Sequence, residues 1–119
     1  MKNDIKIQEE LLTTLNQLFQ IEQKVAKLAE PNSIQRNIDR IKEQFVILGL
    51  KIDNPMGEKY DETRTDCEAS IAGDSTDDLL ITEVLKPIIR ICQNNVSLIV
   101  QRAVVIVQSK TITNKTEEK

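Results

Sequence analysis

The sequence contains no histidine and no tryptophan. Histidine is the commonest metal ligand and the commonest general base at neutral pH, so either role would fall to carboxylates or thiols. Aromatic residues make up 3% of the 119 residues, which leaves core burial to Leu, Ile and Val. The two cysteines, Cys67 and Cys92, stand 25 positions apart without a CxxC spacing. Two unpaired, semi-buried thiols in a reducing compartment are expected, with a disulfide or a shared metal as the alternative. No run reaches the roughly 20 apolar residues of a membrane span. Met1 is followed by charged and polar residues rather than by the apolar core of a secretory leader. A soluble, cytoplasmic protein without a membrane partner is expected.

Charge is unevenly spread. Residues 1–50 carry seven basic and seven acidic side chains, and residues 51–107 carry six and ten. The second part is therefore acidic, and nucleic acid is not an expected partner, because neutralising phosphates needs a basic patch.

The most apolar stretch is Leu79 to Val107, rich in Val and Ile, whose branched Cβ favours a pleated surface over a helix. Pro87 interrupts it, as expected at an edge, a bulge or a strand start. Asn94-Asn95 interrupts it again, since Asn tolerates the left-handed backbone of a tight hairpin. Three strands are predicted, at about 79–85, 88–92 and 97–107. Upstream, Asp66 to Ile71 is a candidate short strand and Gly73 to Asp78 an acidic loop. The segment from Gln108 onward is polar and is predicted to be disordered.

The first half reads as helix. Asp4 to Glu30 has no Gly or Pro, and its apolar residues Leu11, Leu15, Leu18 and Val25 recur at helical spacing beside Ile5, Leu12, Phe19 and Ala26. Pro31 ends it, and Ser33 is the expected N-cap of a second helix over 33–48. There Ile34, Ile38, Ile41, Phe45 and Leu48 form a 4-3-4-3 seam, closed by Gly49 as a left-handed cap. These nine seam positions (Leu11, Leu15, Leu18, Val25, Ile34, Ile38, Ile41, Phe45, Leu48) are the expected dimerisation residues. The alternative is that the two helices pack only on each other. The fold class that follows is α+β. A helical arm over 1–49 forms a dimeric coiled coil or four-helix bundle, a small all-β module spans 50–107, and the tail spans 108–119.

Between these parts lies Asn54-Pro55-Met56-Gly57-Glu58-Lys59-Tyr60-Asp61, with a turn at Asn54–Gly57. This segment follows Leu48-Gly49-Leu50 and precedes Glu68-Ala69, Glu83-Val84-Leu85 and Ala103-Val104-Val105-Ile106-Val107. In that order the residues resemble the GrpE family, nucleotide exchange factors of DnaK-type heat-shock chaperones. The resemblance runs from about Ile34 to Val107. The sequence departs from the family pattern in four places, one of them Lys86-Pro87 in place of Lys-Gly-Tyr. Tyr60-Asp61-Glu62 stands for Phe-Asp-Pro, Cys67 for a histidine, and Val100-Gln101-Arg102-Ala103 for Leu-Arg-Pro-Ala, with the arginine one place later.

The resemblance implies a homodimeric co-chaperone in protein folding and the stress response. Its β-domain would bind the nucleotide-binding domain of the chaperone and open the cleft that holds ADP. The implied contacts are Met56, Glu58, Tyr60, Leu85, Lys86, Pro87, Arg102 and Val104. No cofactor, metal or catalytic residue is implied, and an enzyme is not expected. An enzyme reading would rest on carboxylates such as Asp61, Asp66 and Glu68, and Asp74, Asp77 and Asp78, which could weakly chelate Ca²⁺, lack EF-hand spacing. The alternative function is a dimeric coiled-coil adaptor or prefoldin-like holdase, in which the helices bind clients and the β-module only oligomerises.

Overall fold

In a computed structural model, residues 7–28 and 33–110 are described. They form α1 (Glu9–Ala26), α2 (Ser33–Ile47), β1 (Leu50–Asp53), β2 (Lys59–Tyr60), β3 (Cys67–Ala72), β4 (Leu79–Lys86), β5 (Ile88–Gln93), β6 (Val96–Gln101) and β7 (Ala103–Ser109). The α+β class is as expected. The chain divides into two compact units, and the division does not separate helices from strands. Among the described residues, those up to 53 and 89–101 make one unit, and 54–88 with 102–110 the other.

The first unit joins both helices to a three-stranded sheet of order β1-β5-β6. Glu9 and Glu10 sit in the first turn of α1, where carboxylates offset the positive end of the helix dipole. Leu15 on α1 packs with Leu50, Ile89 and Ile91 of the sheet, flanked by Ile7, Leu11, Leu12, Phe45, Ile52 and Val100. Each fully buried Leu or Ile contributes roughly 1.5–3 kcal/mol. Asn16 and Gln101 exchange two amide hydrogen bonds, at 3.0 and 2.9 Å, fixing α1 on β6. Glu22 ties the helices together by accepting from Gln35 and Lys42.

Two glycine and asparagine expectations hold here. Gly49 takes φ +90° at the end of α2, and its amide donates to the Val46 carbonyl at 2.9 Å. Asn94 and Asn95 take φ 51° and 66°, the left-handed pair of a two-residue hairpin between Gln93 and Val96.

The α2 seam is split between two faces. Ile38 is buried and Phe45 half-buried, but Ile34, Ile41 and Leu48, seven residues apart, are 46%, 44% and 72% exposed. On α1, Leu15 and Leu18 are buried and Leu11 and Val25 half-buried, while Ile21 and Leu28, again seven apart, are exposed. Leu15, Leu18 and Ile38 are therefore used up inside the chain and leave no surface for a second copy.

The second unit is a four-stranded sheet of order β2-β4-β7-β3. β7 is antiparallel to β4 and parallel to β3, with Val105 opposite Val84 and Ala69. Ala103, Val105 and Val107 alternate inward with Cys67, Ile81 and Val84, all buried. Bulges in β4 between Ile81 and Glu83, and between Val84 and Lys86, shift its register against β7. The turn at Asn54–Gly57 is present, with Gly57 at φ +85° and its amide bonded to Ile81.

Four expectations are corrected. The single strand at 97–107 is two strands, β6 and β7, in different sheets, because the chain leaves the ladder at Arg102. The polar tail does not begin at Gln108. Gln108 pairs with Leu80 and Ala72, and Ser109 is buried, its hydroxyl bonded to the Asp77 carbonyl. Ser33 is already helical rather than the residue before the helix. Cys92 is exposed rather than semi-buried, while Cys67 is buried, and both are free thiols. The predicted ends of the first helix at 4–6 and 29–30, the Pro31 break and the segment 111–119 lie outside the described residues.

Candidate functional site

All eight residues expected at a partner surface fall in the second unit. They form two groups. Met56, Glu58 and Tyr60 belong to the turn and strand that run beside Ile81. The amide of Gly57 donates to the Ile81 carbonyl and the amide of Ile81 to the Glu58 carbonyl, each at 2.9 Å. Met56 is 54% exposed, while Tyr60 is half-buried opposite Leu79. Lys86 lies opposite Val104, which lies opposite Glu68, so this row crosses three strands beside Arg102. Leu85 and Lys86 are exposed and Val104 is half-buried. Pro87 is fully buried where the chain leaves β4, so it offers no contact surface, and its expected role is corrected.

The loop from Asp61 to Asp66 connects the two groups, and two arginines hold it. Asp61 opens the loop by accepting from the Thr63 amide at 2.8 Å and from the Thr63 hydroxyl. The carboxylate is thereby held below its ordinary range, Thr63 being the main cause. Arg64 makes a forked pair with Asp66, Nε to Oδ1 at 2.8 Å and Nη2 to Oδ2 at 3.3 Å. The same guanidinium reaches Glu58 Oε1 at 2.8 Å and the Lys59 carbonyl at 2.9 Å. Asp66 is lowered chiefly by Arg64, and Arg64 is raised chiefly by Asp66.

Arg102 grips the far end of the loop. Nε donates to the Thr65 carbonyl at 3.1 Å, Nη2 to the Cys67 carbonyl at 2.8 Å, and Nη1 to Glu68 Oε2 at 3.3 Å. Its neighbour Ala103 donates its amide to the Asp66 carbonyl at 2.9 Å. Beneath this, burial first and the Asp66 charge second push the Cys67 thiol up to about 11. It stays protonated at neutral pH and lacks the thiolate a nucleophile needs.

Arg64 and Asp66 did not figure among the sequence candidates for contact. One signal was available: Arg64 is the only basic residue between Lys59 and Lys86, set among Asp61, Glu62, Asp66 and Glu68. Among the described residues, no group of three or more Cys, Asp or Glu side chains is arranged to hold a metal ion. No helix there is long and apolar enough to cross a membrane. The arrangement is a stiffened loop that presents charged and apolar side chains on one small unit. In comparisons with known proteins, no family model, no curated protein and no solved structure matches this chain.

Proposed function

We propose that this protein is a GrpE-like nucleotide exchange factor, a cytoplasmic homodimeric co-chaperone of a DnaK-type heat-shock chaperone. The observation that carries the reading is the gathering of Met56, Glu58, Tyr60, Leu85, Lys86, Arg102 and Val104 on one compact β-rich unit. They occur there in the chain order that the resemblance requires. The exposed series Ile34, Ile41 and Leu48, with Ile21 and Leu28, supports pairing of the helical arm with a second copy. Such a partner acts by differential affinity. It releases ADP only as far as it prefers the open chaperone over the closed one.

The deciding measurement is the dissociation rate of a fluorescent ADP analogue from a DnaK-type chaperone of the same cell, with and without the protein. Acceleration that falls at least tenfold in Met56→Ala with Lys86→Glu supports the reading. No acceleration by a folded dimer, with any such chaperone, rejects it.

The same exposed helical series also supports the adaptor or holdase reading. In that case Ile34→Ser with Ile41→Ser abolishes client binding, whereas changes at Met56 and Lys86 leave it unaltered.

A further inference from the structure

The second unit holds an open groove of about 500 Å³, of whose lining only Tyr60 figures in the readings above. Tyr60, Ile71 and Leu79 give it an apolar floor, and Asp61, Glu62 and Asp78 line it with carboxylates. Among the described residues that line it Lys59 is the only cation, so this lining carries a net charge of −2. Ile71 is 46% exposed on β3, an edge strand whose one neighbour is β7. Neither arginine of this unit lines the groove. Arg64 is committed to Asp66 and Glu58, and Arg102 to Glu68 and two carbonyls.

We propose that this groove is a docking site for a segment of a partner protein that alternates lysine or arginine with aliphatic residues. Charge complementarity selects the occupant: a cation gains from three carboxylates, whereas an acidic or phosphorylated segment would be repelled. The aliphatic positions cover Ile71 and the Tyr60 ring and bring affinity that salt does not screen. The groove shares Tyr60 with the expected chaperone contacts, but the peptide titration below contains no chaperone or nucleotide and so tests the groove separately from nucleotide exchange.

The test is fluorescence anisotropy of a labelled eight-residue peptide alternating Lys and Ile, titrated with the full chain. Glutamate-for-lysine and serine-for-isoleucine peptides serve as controls. The Lys/Ile peptide is expected to bind at least tenfold more tightly than either control. Asp61→Asn with Asp78→Asn should weaken it about tenfold, and Ile71→Ser severalfold. Both asparagines preserve the local backbone, since Asn keeps the oxygen that accepts from Thr63 and suits the φ of +54° at position 78. Equal binding of the three peptides, or unchanged affinity in the variants, overturns the proposal. It is also overturned if Ile112→Ser with Lys115→Glu tightens peptide binding tenfold. That result would make the chain's own C-terminal segment the occupant.

Discussion

The amide of Cys92 donates to the carbonyl of Gly49 at 2.7 Å, joining the end of α2 to β5 across 43 positions of sequence. The approach leaves no room for a side chain. A Cβ on Gly49 would lie 2.9 Å from the Cys92 carbonyl oxygen, on a residue held at φ +90°. Gly57 has a similar φ of +85° but nothing within 4 Å of the same position. Gly49→Ala should therefore cost more than Gly57→Ala. Backbone strain alone gives about 1 kcal/mol, and strain plus displacement of the sheet gives about 2–3 kcal/mol. Urea midpoints of the two variants check this. Equal losses would mean that the contact with Cys92 constrains nothing.

Arg64 is the residue on which the loop's order depends. Arg64→Met keeps the aliphatic stem but leaves Asp66 and Glu58 without their cation, at an expected cost of about 1–3 kcal/mol. Asp66→Asn should cost less, and the double variant should lose less than the two singles together. The pair is also pH-dependent. Asp66 is depressed in the folded state, so its contribution is complete above the unfolded value of about 4 and is lost as pH falls through the folded value. Stability of the parent should drop below about pH 4 more steeply than that of Arg64→Met. Parallel acid limbs would argue against the pairing.

What the sequence could reveal depended on how local the cause was. The helices, the Gly49 cap, the turn at Gly57 and the Asn94-Asn95 hairpin are set by residues within one turn of each other, and they were legible. The break at Arg102 was not. The run from Ser97 to Val107 has no Gly or Pro at that position to mark a break, and Arg102 is drawn instead to the carbonyls of Thr65 and Cys67, more than 30 residues away. The split of the α2 seam was hidden for a similar reason. Ile34, Ile38, Ile41 and Phe45 have equivalent apolar character, and only packing against α1 and β1 decides which of them faces inward. Of the expected contact positions, the structure shows Met56, Glu58, Leu85, Lys86 and Arg102 exposed and Pro87 buried, and the fork between Arg64 and Asp66, though local, has no fixed sequence spacing to announce it.

Cys67 should give the protein an alkaline limb. Its thiol is raised to about 11, against an unperturbed value of about 9. A raised value means that the folded state holds the proton longer. The contribution is complete below pH 9 and disappears as pH rises through 11. Relative to Cys67→Ala, the parent should lose on the order of 2 kcal/mol across that window. Thiol labelling offers a second readout. Cys92 should react at once in the folded protein, and Cys67 only on unfolding. Rapid labelling of both would contradict the burial of Cys67.

The hairpin at Asn94-Asn95 is the place where one substitution should stabilise the fold. Both residues occupy the left-handed region, with Gln93 and Val96 paired on either side. In such two-residue turns the second position favours glycine most strongly, because glycine has no Cβ to crowd the carbonyl. Asn95→Gly should raise stability by about 0.5 kcal/mol, a gain partly offset by the freedom glycine adds to the unfolded chain. Asn95→Ala should lower stability by about 1 kcal/mol, since alanine brings a Cβ without the polar group that eases asparagine into this conformation. The opposite signs matter more than the sizes. Loss of a contact would lower stability in both variants, whereas a conformational preference raises it in one and lowers it in the other. Thermal midpoints of the two variants therefore distinguish a turn set by backbone geometry from one held by the Asn95 side chain.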